Sequence, residues 1–275
     1  MTGCATARVA ESDIYRPRTG GELTQVLVSA TAPAYRLERA TITARDGAVL
    51  RGVWLRQAGA RHTVLLFGGN GFLVAEGARL APLFEQLGVD LMMIDHRGYG
   101  ASAPGNGTPS LRLLMSDGED LFDNLASRPG MSPASIVLHG HSLGSFVAGH
   151  VATSRDSGAL VLQSSATTAD DFVRGQIPVY ARPFVRVEVA DELRNGGNLS
   201  NMSKITEPLL IVVGAEDRTT VPAMSRRLYA ASPLAPGSKT LMIVAGRGHN
   251  DVFASPEAVA TYRTFLESLP QVVPQ

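Results

Sequence analysis

The chain has 275 residues, 44% of them apolar and 18% charged, which is enough for one large core, too little charge for a disordered chain, and too short for two domains with separate cores. Twenty-five Lys and Arg balance 25 Asp and Glu, removing the attraction on which nucleic-acid and anionic-membrane binding rest. The single Cys4 excludes an intrachain disulfide and a cysteine zinc cluster, and no apolar run reaches the roughly 18 residues of a membrane-spanning helix.

Met1-Thr2-Gly3-Cys4 lacks the basic segment and apolar core of a secretory signal, yet resembles the end of a bacterial lipoprotein signal peptide. Two expectations stand. Either this is an ordinary start and the chain is cytoplasmic, or Cys4 is lipidated and carries a cell-envelope protein to the membrane. Residues 1–34 are expected to be an N-terminal extension to one domain over 35–275. Residues 35–44 and 48–56 alternate polar and apolar positions around Asp46-Gly47, a dipeptide that favours a hairpin turn. Short apolar runs follow at 63–67, 89–94, 135–138, 159–162, 209–213 and 241–244, as suits strands buried on both faces of a parallel sheet. Between them, helical spacing appears near 72–87, 116–127, 143–155, 222–231 and 256–268. Pro222 and Pro256 fit first helical turns, and Ser255 is placed to cap the last helix. Strand and helix in alternation predict right-handed crossovers and a doubly wound α/β sheet.

Residues 164–206 break that rhythm. Phe172, Val173, Ile177, Val179, Tyr180, Phe184, Val185, Val187 and Leu193, with Pro178, Pro183 and a loose 195–200 stretch, predict a small helical lid over the sheet's carboxyl edge. The alternative is an ordinary crossover helix with a long loop.

Gly140-His141-Ser142-Leu143-Gly144 lies between a predicted strand and a predicted helix. A serine at such a sharp turn needs small neighbours, because two chain segments pass close together there. A serine hydroxyl is a weak nucleophile near neutral pH, so it requires a base and an acid to orient that base. Glu216 and Asp217 follow the strand at 209–213, and His249 follows the strand at 241–244. Both sites lie at carboxyl ends of parallel strands, where loops converge. Spacing alone does not separate Glu216 from Asp217, and Asp251 is a weaker rival. Phe67-Gly68-Gly69-Asn70-Gly71 follows the strand at 63–67, where an oxyanion hole belongs. The backbone N–H groups of Leu143 and Asn70 are the expected donors, with Gly69 as the substitute for the second. No GxxxxGK is present and the third glycine of a dinucleotide fingerprint is missing, which argues against nucleotide binding.

The set FGGNG, DHRGYG at 95–100, GHSLG, GAED and GHND, in that order over residues 35–268, resembles the α/β-hydrolase superfamily. More narrowly, it is similar to acyl hydrolases of the serine aminopeptidase and monoacylglycerol-lipase-like type. The resemblance implies a mainly parallel eight-stranded sheet with helices on both faces, a triad of Ser142, Asp217 and His249, and no metal or organic cofactor. It is also what selects Asp217 over Glu216. Two departures stand out: Gly68 occupies a position where many members carry His, and His96 one where they often carry Tyr.

The other histidines are expected to be bystanders. His141 packs or lines the pocket, His139 and His150 are structural, His62 ends a solvated strand, and His96 with Asp95 and Arg97 braces the floor of the site. The expected activity is hydrolysis of a small-molecule carboxylic ester, or thioester, carrying an apolar acyl group. A peptidase or amidase using the same triad and a noncatalytic binding module on the same fold are the rivals.

Overall fold

The computed structural model describes residues 5–177, 180, 184–193 and 196–270. Cys4, Pro178, Val179, Pro183 and Asn195 lie outside the described residues.

Short apolar segments that pair on both sides build the centre of the molecule. Strands β1 (Ala5–Val9), β2 (Arg36–Thr43), β3 (Val49–Arg56), β4 (Thr63–Phe67), β5 (Asp90–Ile94), β6 (Ile136–His141), β7 (Ala159–Gln163), β8 (Val185–Val189), β9 (Leu209–Gly214) and β10 (Lys239–Val244) occur in chain order. Eight of them form one sheet in the order β10-β9-β7-β6-β4-β5-β3-β2. Only β2 with β3 and β3 with β5 run antiparallel, and the first of these pairs is the hairpin turned at Asp46-Gly47. Every residue of β4, β5, β7 and β9 is buried, which explains their unbroken apolar runs.

Alternate residues of these strands feed two cores. Leu65, Phe67, Leu138 and Leu162 pack with helices α3 (Leu111–Ala126), α4 (Leu143–Ala152) and α6 (Pro222–Ala231). Leu66, Val137, Val161 and Val212 pack on the other face with α1 (Gln25–Thr31), α2 (Ala81–Gln86) and α7 (Pro256–Glu267). Helices therefore cover both faces of a mainly parallel eight-stranded sheet, as predicted.

Several details differ from the sequence reading. The helix expected over 72–87 is a 3₁₀ segment, Val74–Arg79, followed by α2; Pro82, lacking an N–H, starts a new helix rather than continuing one. The helix expected from 116 begins at Leu111, where the Ser110 hydroxyl accepts from the Leu113 N–H. Ser255 stands at the cap position of α7 without a side-chain capping bond. His62 is buried rather than solvated, because β4 is paired on both sides from its first residue.

The 164–206 segment contains α5 (Ala169–Gln176) and also a strand, β8, which pairs in parallel with β1 from Ala5↔Val185 to Val9↔Val189. The strand forms there because residues 5–9 supply its partner, a pairing of residues about 180 positions apart that no local pattern announces. Within the insertion, Phe172 and Leu193 face the same cavity as Ser142, whereas Tyr180 and Phe184 are exposed.

Candidate active site

Ser142 follows β6 directly and caps α4 in a left-handed conformation, φ 52° and ψ −117°. A non-glycine residue in this region costs of order 1–3 kcal/mol and persists only where its surroundings impose it. Here the flanking glycines do so. A side chain at Gly140 would meet the backbone Cα of Ser145 at 2.4 Å, and one at Gly144 the carbonyl oxygen of Phe67 at 2.1 Å. The elbow thus lies against the 67–71 loop as closely as two backbones allow.

The Ser142 hydroxyl oxygen is 2.9 Å from Nε2 of His249, and Nδ1 of that ring is 2.9 Å from Oδ2 of Asp217. A carboxylate accepts only, so Nδ1 carries the proton and Nε2 is left to accept from serine. Asp217 is fully enclosed. Its Oδ1 accepts from the Thr219 and Thr220 N–H groups at 2.8 Å, and its Oδ2 also accepts from the Thr220 hydroxyl at 2.8 Å. Burial alone raises its pKa, but the bonds from His249 and Thr220 outweigh that and hold it below the ordinary carboxylate range. Glu216 is exposed, and Asp251 accepts from the Gly248 N–H in its own loop. Of the three candidate acids, only Asp217 reaches the imidazole.

His249 is fixed through its backbone as well. Its carbonyl accepts from the His141 Nε2–H and from the Ser164 hydroxyl, both at 3.1 Å. Ser164 itself is a second non-glycine residue at positive φ, 48°. Enclosure and then the neighbouring His249 push the His141 imidazole down to about 4, so it stays a neutral donor at working pH.

The 67–71 loop is held from three sides. His96 Nε2 donates to the Gly68 carbonyl at 2.8 Å, and a side chain at Gly68 would strike the Phe72 ring at 2.1 Å. Phe72 therefore fills the space that a histidine would need at that position. The Gly69 carbonyl accepts from the Phe72 N–H at 3.0 Å, and across a trans peptide the Asn70 N–H points the opposite way. The Asn70 side chain is committed to the N-terminal segment. Its Oδ1 accepts from Arg16 N–H and Tyr99 OH, each at 2.8 Å, and its Nδ2 donates to the Ile14 carbonyl at 2.6 Å. Asp95 braces the same region by accepting from the N–H groups of Val74 and Ala101, and Arg97 bridges Asp46 and Asp117.

Two cavities flank this loop. One, of about 50 Å³, contains Ser142, Leu143, Asn70 and Thr220 in a lining that is otherwise apolar apart from Tyr15. The other, of about 690 Å³, lies beyond Gly69 and His141 and does not touch Ser142. Among the described residues no group of three or more His, Cys, Asp or Glu is gathered as a metal site would need.

The sequence profile of the serine aminopeptidase S33 family matches residues 58–193, which takes in FGGNG, DHRGYG and GHSLG but stops before Asp217 and His249. An uncharacterized protein of Mycobacterium tuberculosis is 30% identical over 76% of this chain and 71% of its own length. Human alpha/beta hydrolase domain-containing protein 17B is 27% identical over 78% of this chain and 67% of its own length. This chain belongs to the α/β-hydrolase superfamily. Among solved structures of the superfamily fold, a Pyrococcus furiosus esterase superposes with a TM-score of 0.73 at 19% identity, covering 93% of this chain and 98% of that one.

Thr220, Ser164 and the Ile14–Arg16 strap escaped the sequence reading. The run Asp217-Arg218-Thr219-Thr220 carried a usable signal, since an Asp followed by a hydroxyl residue favours a side-chain turn. Ser164 and the strap carried none.

His139, 1% exposed between Tyr262 and Gln163, has a pH-dependent consequence. Burial pushes it down to about 3, against the pull of Gln163. Its unfolded form takes up a proton near pH 6.5, so its contribution to stability is complete above that pH and is lost on acidification towards 3, at about 1.4 kcal/mol per pH unit. Urea unfolding of wild type and His139→Gln should show a stability gap that narrows by about 2 kcal/mol from pH 7 to pH 5. A gap independent of pH would mean that His139 does not titrate in this way.

Proposed function

We propose that this hydrolase cleaves carboxylic esters, or thioesters, through an acyl-enzyme on Ser142. The observation that carries the reading is the continuous relay of two 2.9 Å contacts from the Ser142 hydroxyl through His249 to the enclosed Asp217 carboxylate. In it, Ser142 Oγ attacks the carbonyl carbon while His249 Nε2 takes its proton, and Asp217 stabilises the imidazolium. The N–H groups of Leu143 and Asn70 receive the developing oxyanion. The imidazolium then protonates the departing alcohol or thiol, and a water activated by the same ring releases the carboxylic acid.

An aminopeptidase would need an anionic group to receive the substrate's ammonium beside the serine. The cavity at Ser142 is lined by apolar side chains, hydroxyls and one amide, with no carboxylate among the described residues, so its chemistry favours a neutral acyl group. A fluorophosphonate probe should label the wild-type protein at Ser142. In a substrate panel, nitrophenyl butyrate should exceed an aminoacyl anilide in kcat/KM by at least ~10²-fold. A preference for the anilide reverses the ester assignment, and a folded protein that resists the probe would return the fold to a binding role.

A further inference from the structure

The acyl group and the leaving group must occupy opposite sides of Ser142, because the leaving oxygen has to face His249 Nε2 to receive its proton. The cavity beside Ser142 is bounded by Leu143 and Asn70 and not by His249. It is therefore on the acyl side. Ligand clefts usually measure about 300–1,000 Å³, whereas this recess has about 50 Å³. It is therefore several-fold smaller than such a cleft and suits a short chain.

The N-terminal segment supplies part of its wall: Ile14 and Tyr15 line it together with Phe146 from α4 and Phe172 and Leu193 from the insertion. The wall is fastened rather than loosely laid. Asn70 bonds both the Ile14 carbonyl and the Arg16 N–H. Arg18 donates to the Gly71 carbonyl at 2.9 Å, and its own carbonyl accepts from Gly100 N–H at 2.8 Å. Tyr15 OH donates to Glu11, whose carboxylate also accepts from the Leu111 N–H at the start of α3. Residues 5–9 continue the segment into β1, paired with β8 of the insertion.

Resting on the acyl-enzyme reading, we propose that residues 11–18 gauge the acyl chain: Ile14 and Tyr15 limit the apolar acyl group that the sequence suggests to about two to four carbons, so that the substrates are short-chain esters. Each methylene beyond the wall must displace packed side chains, and a methylene in an apolar pocket changes kcat/KM by about 10- to 200-fold.

The test is a nitrophenyl ester series from acetate to laurate with the full-length protein. Wild type should be best on acetate to butyrate, with kcat/KM lower by at least ~10²-fold at octanoate. Ile14→Ala should raise the octanoate-to-butyrate ratio by at least ~10-fold, and Ile14→Trp should lower the butyrate-to-acetate ratio. Ratios within one variant cancel any loss of folded protein. Wild type that hydrolyses laurate as well as butyrate, or Ile14 variants that change all esters in proportion, overturn the gauge and leave the acyl-enzyme standing. No turnover at any length, with no fluorophosphonate labelling, overturns both.

Discussion

Replacing Ser142 by Ala should lower kcat on nitrophenyl butyrate by about 10⁴-fold or more, while Ser142→Gly should do the same and raise the melting temperature. The two effects have separate origins. Activity is lost because the oxygen that His249 faces at 2.9 Å is gone. Residual turnover then rests on the oxyanion donors and binding alone. Stability rises only in the glycine variant, because alanine keeps the Cβ that makes φ 52° unfavourable. Relief of about 1–2 kcal/mol corresponds to roughly 2–8 °C in a domain of this size. Initial-rate kinetics and thermal unfolding of both variants check the pair. Activity of either variant above about one per cent of wild type would remove Ser142 as the nucleophile, and a glycine variant no more stable than the alanine one would show that the elbow stores no strain at this residue.

The sequence carried Ser142, Asp217 and His249, the proposed nucleophile, acid and base, because each sits where a buried strand ends, and buried strands announce themselves as apolar runs. Six such runs located the parallel strands to within a few residues, and Asp46-Gly47 located the hairpin. The selection of Asp217 over Glu216 came from resemblance, and the structure supplies the physical distinction: Asp217 lies under two backbone donors and the Thr220 hydroxyl, whereas Glu216 faces solvent. His62 was misread because polarity at a strand end suggests exposure, while its burial follows from neighbours on both edges that a linear pattern does not reveal. The strap was illegible for a stronger reason. Nothing in Ile14-Tyr15-Arg16 specifies that it crosses Asn70 and Tyr99, which stand 54 and 83 positions away from Arg16. Such contacts exist only once the sheet has brought the 67–71 and 95–100 loops together.

On the proposed mechanism, that crossing makes Asn70 a positioning residue through its side chain, separately from its backbone N–H, and sets an order among three variants. Tyr99→Phe removes the hydroxyl that bonds Asn70 Oδ1 and accepts from Arg16 N–H, leaving the amide's other two bonds in place; kcat should fall by about 10-fold. Asn70→Ala removes all three side-chain bonds and releases the loop that aims the second oxyanion donor, so the loss should approach the ~10²-fold expected for one donor. Asn70→Asp keeps an acceptor for Arg16 and Tyr99 but turns a donor towards the Ile14 carbonyl into a repelling oxygen. It also sets a negative charge beside the place where the oxyanion develops, and its loss should be the largest, about 10³-fold. Labelling by fluorophosphonate, which forms the same kind of charged oxygen at Ser142, should slow in the same order. If Asn70→Asp, which keeps the backbone N–H, retains wild-type kcat and labelling rate, the Asn70 side chain does not position the loop.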